Sequence, residues 1–392
     1  MLVRKSSLIW LASIYATIAL TLPYEWRTGI IAPILSSSIA TVVILVIYVL
    51  CQINSKIMGV YIIYNILLLW STWINNIPLR EQILLSLSGI TLVGAFELVN
   101  KYASKKQFKI YIFYQVFLVI VNSLQTIYYG ASRDENGYLC IFGNKNWYFY
   151  KILPVAFLVL LMYARYKKKI LSLQFNIFFG FAFISVIIAG SGAGALALGL
   201  WGVYIIFIPL IERIKQNKKF DHYIVYSILI MFIFFTIVVW NAAEIFAPII
   251  VGLLGKDLTF TTRTRIWGRA LELIAKKPFI GYGAMESEKI VELFYGIPDF
   301  TTTHNQYLGE LFRGGIPLLI CFLALIYLAF KRMQISDNID MKKAMTFGVF
   351  CLLLWWMMES ITSMYLILVL FICYHLPDST GVIDNIDNIE SR

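Results

Sequence analysis

The sequence predicts an all-α, polytopic integral membrane protein with about 12 transmembrane helices. Of its 392 residues, 60% are hydrophobic and only 14% are charged, and the mean hydropathy is +0.76. A soluble globular domain has about 45–50% apolar and about 25% charged residues. The apolar residues are also gathered into long runs, and a spanning helix needs about 20 of them. The composition and the runs together exclude a soluble fold.

Each apolar run is long enough to cross a bilayer once, and short polar turns separate most of them. The first run follows Arg4 and Lys5 without a clear small-residue cleavage site, so we expect a retained span and not a signal peptide. The last two runs are separated only by Glu359 and Ser360. The predicted spans cover residues 7–23, 30–51, 58–75, 82–99, 109–128, 148–164, 173–190, 194–211, 223–242, 315–330, 344–360 and 362–376.

Lysine and arginine collect at alternate ends of these spans, which predicts their orientation. With the N-terminus in the cytoplasm, the inner turns and the tail carry 20 of the 33 cations and the short outer loops carry 5. The other 8 lie between spans nine and ten, in residues 243–313. This segment, called the outer loop below, is therefore predicted to be extracytoplasmic, with both termini cytoplasmic.

Four segments follow from this topology: spans one to nine in 1–242, the outer loop in 243–313, spans ten to twelve in 314–377, and an acidic tail in 378–392 that we expect to be disordered. The net charge of +11 does not indicate a nucleic-acid-binding protein. Its cations flank apolar spans, as membrane surfaces require. The five cysteines lack a CxxC or Cys/His spacing, so neither a disulfide framework nor a zinc site is predicted.

The outer loop contains a predicted amphipathic helix. From Arg265, apolar residues recur at about 3.6-residue spacing, Thr262 or Thr264 can cap the helix, and Pro278 marks its end. The turn 281–283 follows, with two glycines that allow backbone angles closed to other residues. As a phosphate-binding loop it is a weak motif, because more glycines and a following Lys-Ser/Thr would be needed.

Three arginines lie near the start of this helix. Arg265 and Arg269 are four residues apart and share one face, and Arg263 lies in the run that enters the helix. Guanidinium groups beside free backbone N–H groups form a good site for a phosphate or pyrophosphate. The alternative is a solvated face whose arginines pair with neighbouring glutamates such as Glu272.

His304 is one of three histidines in the protein and the one in the outer loop. It lies at the entrance of a predicted helix, just before span ten. An imidazole at this place can take a proton from a hydroxyl near neutral pH, and Glu310, one to two turns further along, can orient the ring. A lone interfacial histidine is more often a packed, hydrogen-bonded residue. The residues alone leave both interpretations open.

Two elements within about residues 255–320 resemble the signature of the O-antigen polymerase/ligase family of membrane glycan-assembly enzymes. The first is Arg263, four residues before Trp267, followed by a helix, Lys277-Pro278 and Gly281-Tyr-Gly283; the second is His304-Asn305, then nine residues and Gly315. Within the family, the sequence is most similar to Gram-positive capsular and exopolysaccharide repeat-unit polymerases. The segments that carry this similarity are 255–261, His304–Leu308 with Arg313-Gly-Gly, and 142–146.

Two positions depart from the family pattern. Many members, ligases above all, carry a Ser-Arg pair before a mid-chain span, and this chain has Gly190-Ser-Gly-Ala-Gly194 there. The Gly-x-x-Gly that follows the histidine is replaced by Gly315-Ile-Pro-Leu318. The first departure removes one expected phosphate ligand and favours a polymerase over a ligase.

The resemblance implies a metal-independent glycosyltransferase without a cofactor. It would transfer a growing glycan from undecaprenyl pyrophosphate to a lipid-linked repeat unit at the outer face of a bacterial cytoplasmic membrane, in capsule, exopolysaccharide or O-antigen biosynthesis. A chain-length regulator, a flippase and membrane lipids are the further expected partners. The implied site comprises His304 and Glu310 as catalytic residues, Arg263, Arg265 and Arg269 as pyrophosphate ligands, and Asn305, Gln306 and Trp267 as supporting residues.

Two other functions stay open. One is a ligase that moves the finished glycan to another acceptor. The other is a non-enzymatic glycolipid transporter or flippase, a class that often places ionisable residues along a path inside its spans. In this chain Glu97 and Glu359 are nearly the only such residues, and both lie near predicted span ends. That distribution favours an enzyme with a site at the outer surface.

Overall fold

A computed structural model describes residues 2–23, 37–130, 140–145, 147–166, 169–170, 172–214, 228–229, 232, 260–297, 300–361 and 363–378. Over these residues the predicted all-α fold is confirmed, because they form helices and turns without a β-strand. The helices in chain order are α1 Leu2–Thr21, α2 Ser37–Leu50, α3 Lys56–Ile74, α4 Arg80–Tyr102, α5 Lys105–Tyr129, α6 Trp147–Arg165, α7 Leu173–Ile188, α8 Gly192–Ile214, α9 Phe260–Lys276, α10 Ser287–Leu293, α11 Gln306–Met333, α12 Ile339–Trp356 and α13 Met364–Tyr374.

Eleven of the predicted spans coincide with a helix, and the ninth, 223–242, lies outside the described residues except for 228–229 and 232. By length and composition, α3, α4, α5, α6 and α11 are each able to cross a membrane. The last predicted span, 362–376, contains a helix of only 11 residues. Every residue of α13 from 366 to 373 is buried by its neighbours. A helix surrounded by protein does not have to match the bilayer thickness, which explains its short length.

The centre of the bundle is made by the two helices that are apolar on all sides. Nearly every residue of α6 is buried, and α13 packs against it and against α11. Around this pair, α1 packs on α4, α3 on α11, and α8 on α12. An all-apolar helix is stable only where every face is covered, so α6 and α13 take the central positions.

A second, smaller apolar core lies beside the bundle and is built by α9, α10 and the start of α11. Trp267 on α9 is 1% exposed and packs there with residues that include Phe294, Phe300 and Phe312. Trp267 is thus a core residue of this unit. Because α9 and the start of α11 share the core, Arg263 and His304 belong to one folded unit.

Helix α9 begins earlier than the sequence predicts. It starts at Phe260, so Thr262 and Thr264 lie inside the helix and neither is its cap; that prediction was wrong. Arg263 contacts Met358 and Glu359 from this first turn, and these contacts stabilise the additional residues. The end is close to the prediction, because α9 ends at Lys276, shortly before Pro278.

Candidate active site

His304 lies in the turn that precedes α11. Its φ of 45° is in the left-handed region, which few residues other than glycine adopt. The backbone N–H of His304 donates to Oγ1 of Thr302 over 3.2 Å, and Oγ1 of the buried Thr303 donates to the carbonyl of Asn305 over 2.8 Å. The turn therefore fixes the backbone of His304 at the entrance of α11.

Asn305 joins this turn to the other side of the site. Its side-chain oxygen accepts from the backbone N–H of Leu308 over 3.1 Å, which caps α11. Its Nδ2 donates to the carbonyl of Met357 over 3.3 Å. Asn305 is fully buried, so both bonds are shielded from water. The predicted supporting residue thus ties His304 to the segment 357–361, which connects α12 to α13.

That segment supplies a carboxylate that faces both His304 and Arg263. Oε1 of Glu359 lies 3.5 Å from Nη2 of Arg263, and its Oε2 lies 3.8 Å from Nδ1 of His304. The side chain of Glu359 is only 9% exposed, whereas those of Arg263 and His304 are 29% and 27% exposed. A shielded carboxylate interacts more strongly with nearby charge than one in water. Glu359 therefore aligns two side chains that keep access to the outside.

The sequence predicts Glu359 only as an ionisable residue near a span end and does not indicate its contact with His304 and Arg263. Two helices, α11 and α12, separate it along the chain from His304. No local pattern links residues that are so distant. The one available signal was an acidic residue in the short polar break between the last two predicted spans.

The three arginines of α9 do not converge. Successive residues turn by about 100° around a helix, so Arg265 points roughly opposite to Arg263. Arg265 is exposed. Arg269 donates to the carbonyl of Leu293 and to Glu272, both over 2.9 Å, which is the paired alternative considered above. Of the three predicted pyrophosphate ligands, the structure brings only Arg263 to His304 and Glu359.

Glu310 belongs to a separate buried group. Its carboxylate accepts from the Tyr64 hydroxyl at 3.0 Å, from Nε2 of Gln306 at 2.6 Å and from Nη2 of Arg313 at 2.8 Å. Glu310 is fully buried, and a buried carboxylate needs such partners to offset its lost hydration. The predicted supporting residue Gln306 therefore holds Glu310. Beside His304, it is Glu359 that takes the place predicted for Glu310.

The turn 281–283 packs backbone to backbone against α11. The N–H of Tyr282 donates to the carbonyl of Phe312 over 2.7 Å, and that of Gly283 donates to the carbonyl of Arg313 over 2.8 Å. Gly281 has a φ of +70°, and a Cβ there would lie 2.7 Å from the backbone of Arg313. The glycines thus allow close approach to α11 and do not form a phosphate-binding loop. Burial raises the pKa of Tyr282, whose hydroxyl donates to Leu273.

The kink in α11 completes this contact. Gly315 has a φ of 69°, and a Cβ on it would lie 2.5 Å from the carbonyl carbon of Phe279. The hydroxyl of Ser71 on α3 donates to the carbonyls of both Ile280 and Arg313. The turn 281–283 and the kink at Gly315 therefore pack against each other and hold Arg313 against α3.

Substituting Gly281 by alanine is expected to lower the free energy of unfolding by about 1–3 kcal/mol, because the new Cβ would overlap backbone atoms at a positive φ. The measurement is the apparent melting temperature of the purified protein in detergent. Gly268→Ala is the matched control, since Gly268 lies in α9 with no atom within 4 Å of its Cβ position. Equal melting temperatures for Gly281→Ala and the wild type would contradict the close approach.

Two cavities meet at Arg313. The smaller, of about 150 Å³, lies beside the His304 turn and is lined by Ile290, Thr302, Thr303, Gly309, Phe312, Arg313 and Ser360. The larger, called the large cleft below, has a volume of about 520 Å³ and lies among α1, α2, α3, α4, α6 and α13. Among the described residues, no group of three or more His, Cys, Asp or Glu is placed to hold a metal ion.

Comparison with known proteins agrees with the resemblance read from the sequence. Residues 177–323 match the family model described as O-Antigen ligase, a range that includes α9 and the His304 turn. The "ComP-specific O-oligosaccharyltransferase" of Acinetobacter baylyi (strain ATCC 33305 / BD413 / ADP1) is 27% identical over 264 residues, which are 60% of this chain and 44% of that protein. The chain thus matches less than half the length of this relative. No solved structure matches the chain.

Proposed function

We infer from these matches that the chain belongs to the O-antigen polymerase/ligase family, and we propose that it is a polysaccharide polymerase. It transfers a growing glycan from undecaprenyl pyrophosphate to a lipid-linked repeat unit at the outer face of the bacterial cytoplasmic membrane. The observation that carries this proposal is the contact of Glu359 with both His304 and Arg263. One buried carboxylate thus aligns a base and a cation at one place.

His304 activates the acceptor in this proposal. The ring nitrogen that does not face Glu359, Nε2, takes the proton of the acceptor hydroxyl as that oxygen attacks the anomeric carbon of the donor. Nδ1 is buried without a hydrogen-bond partner among the described residues and faces Glu359 at 3.8 Å. A contact of this length can tighten when substrate is bound. Glu359 then stabilises the imidazolium that the proton transfer creates.

Arg263 assists the leaving group. As the new glycosidic bond forms, the bond between the anomeric carbon and the pyrophosphate oxygen breaks, and negative charge develops on the lipid pyrophosphate. The guanidinium of Arg263 stabilises that charge, which supplies electrostatic catalysis without a metal ion or cofactor. Arg313, which lines both cavities and pairs with Glu310 over 2.8 Å, is the second cation that we propose for the same group. It takes the place of the mid-chain arginine that is absent from residues 190–194.

A ligase is the second candidate, because the matching family model is described as O-Antigen ligase and the relative is named an oligosaccharyltransferase. The missing Ser-Arg pair in Gly190–Gly194 favours a polymerase. A transporter is the least supported of the three functions. Its two candidate path residues are engaged elsewhere, since Glu97 bonds to Tyr48, Ser55 and His375 and Glu359 faces Arg263.

The lipid-linked intermediates of a deletion strain test this assignment. Loss of a polymerase is expected to leave single repeat units on the lipid carrier, because no step joins them. Loss of a ligase would leave long glycans that stay on the carrier, and this outcome would overturn the polymerase. In liposomes with EDTA, the purified protein is expected to lengthen lipid-linked repeat units. Movement of the lipid across the bilayer without a covalent product would instead indicate a transporter.

A further inference from the structure

We propose that the large cleft binds uncharged sugar rings of the lipid-linked glycan, next to the bond that reacts; this inference rests on the proposed function. The cleft has a volume of about 520 Å³. Sites for small molecules have volumes of about 300–1,000 Å³, so the cleft has room for a short oligosaccharide.

The cleft begins at the predicted outer end of the bundle and extends along α3 as far as Tyr61. Its walls include Leu20 near the end of α1, Gln82 near the start of α4, Trp147 at the start of α6 and Ser363 directly before α13. All of these helix ends are outer ends in the orientation that the Lys and Arg distribution predicts. The outer loop is predicted on the same side. A glycan exposed at the outer membrane surface therefore reaches the outer end of the cleft directly.

Aromatic side chains form much of its lining. The rings of Trp147 and Tyr150 have centroids 6.4 Å apart, and those of Tyr150 and Tyr365 are 5.9 Å apart, which makes a row across α6 and α13. On α3, Tyr61 and Tyr64 are stacked with centroids 6.1 Å apart. Tyrosine and tryptophan offer an apolar face with a polar edge. This pairing suits a sugar ring, which carries C–H groups on its faces and hydroxyls at its rim.

The remaining polar lining is uncharged apart from one residue. Serine, asparagine and glutamine side chains both donate and accept, as sugar hydroxyls do. Such groups would lose hydrogen bonds against a polyprenyl chain, so the part of the cleft that they line suits a sugar, while aliphatic residues such as Leu68 and Leu85 line the rest. Arg313 is the one charged side chain among the described residues that line the cleft. The uncharged polar lining residues are Ser37, Asn65, Gln82, Ser86, Ser88 and Ser363.

The cleft joins the candidate active site at two places. Arg313 lines both cavities, and Ile361 of the cleft follows Ser360 of the smaller cavity, which in turn follows Glu359. Sugar rings held in the cleft therefore lie beside the residues proposed to act on the anomeric carbon. The bound rings belong either to the donor glycan or to the acceptor repeat unit, and kinetics separate the two sources.

The test uses the full-length protein in nanodiscs, with lipid-linked repeat units and lipid-linked polymer isolated from the producing strain. Trp147→Ala and Tyr365→Ala are each expected to raise KM by about 10-fold. They should change kcat by less than about threefold, since stacking on sugar rings that do not themselves react contributes equally to ground and transition states. A rise in the acceptor KM alone assigns the rings to the repeat unit, and a rise in the donor KM alone assigns them to the growing glycan.

Matched variants make the result specific. Trp147→Phe and Tyr365→Phe keep a stacking ring and are expected to retain most of the affinity. Tyr128→Ala removes an 82% exposed tyrosine at the end of α5 and should leave both KM values unchanged. Wild-type KM values in both alanine variants, with transfer intact, would overturn the cleft as a sugar site.

Direct binding separates this inference from the proposed function. A labelled, delipidated repeat-unit oligosaccharide is expected to bind the wild type and to bind Trp147→Ala and Tyr365→Ala about 10-fold more weakly. If the wild type transfers no glycan but shows this binding pattern, the proposed function fails and the sugar site stands. If the wild type transfers glycan and the alanine variants bind as it does, only the sugar site fails.

Discussion

Replacing His304 by alanine is expected to lower the rate of glycan transfer by about 10²–10⁴-fold, the usual contribution of a positioned general base. The physical reason is the geometry of the turn before α11. It holds the imidazole with Nδ1 towards Glu359 at 3.8 Å, while the side chain stays 27% exposed to an incoming hydroxyl. Alanine removes the proton acceptor and leaves the cavity lining in place.

The measurement is the distribution of lipid-linked glycans in membranes of a strain that carries the variant, with the amount of protein checked by immunoblot. Single repeat units should accumulate and polymer should disappear. His222→Ala is the matched control, because His222 is predicted to lie in a cytoplasmic turn, and it should support normal polymer. Polymer of normal length and amount from His304→Ala would exclude His304 as the base.

Replacing Arg263 by alanine is expected to lower kcat by about 10²–10³-fold, which is the typical loss when one charge-stabilising donor is removed. Arg263 reaches Glu359 over 3.5 Å from the first turn of α9 and keeps 29% of its side chain exposed. Its planar guanidinium can face two phosphate oxygens at once. Arg263→Lys keeps the charge without that geometry, so an intermediate loss is expected.

Arg265→Ala provides the matched control for this variant. Arg265 lies two residues further along the same helix, carries the same charge and is exposed. If Arg263 acts through its place beside Glu359, Arg265→Ala should keep kcat within about threefold of the wild type. Initial rates of the two purified variants give the comparison. Equal losses in both would show that the general positive charge of α9 matters and that the contact with Glu359 does not.

Within this site, the sequence predicts only how residues of the same helix are placed relative to each other. Arg263 and Trp267 are four residues apart, and the structure shows why: Trp267 is buried in the core beneath α9 while Arg263 stays half-exposed on a nearby face. Helix spacing also predicts that Arg265 and Arg269 share one face, but it does not show which face of α9 meets the segment 357–361. The structure pairs Arg269 with Glu272 and leaves Arg265 exposed.

Glu310 shows the opposite limit. Its position shortly after His304 suggested a contact with the imidazole, yet a helix carries each side chain to a fixed face. The carboxylate instead points towards Tyr64 on α3 and pairs with Arg313. The residue beside His304 comes from the segment 357–361, after two intervening helices. A contact between residues so far apart in the chain depends on helix packing and leaves no periodic pattern.

The all-α membrane fold and most of the helix positions follow from the sequence, because they depend on apolar run lengths and local spacing, and the sequence also predicts functional segments around Arg263 and His304. The packing of the helices sets which side chains meet there. It brought Glu359 to His304 and Arg263, placed Arg313 between two cavities, and turned Arg265 and Arg269 away. The physical reason is that the length and spacing of apolar runs are local properties of the chain, whereas the site depends on how rotated helices pack against each other.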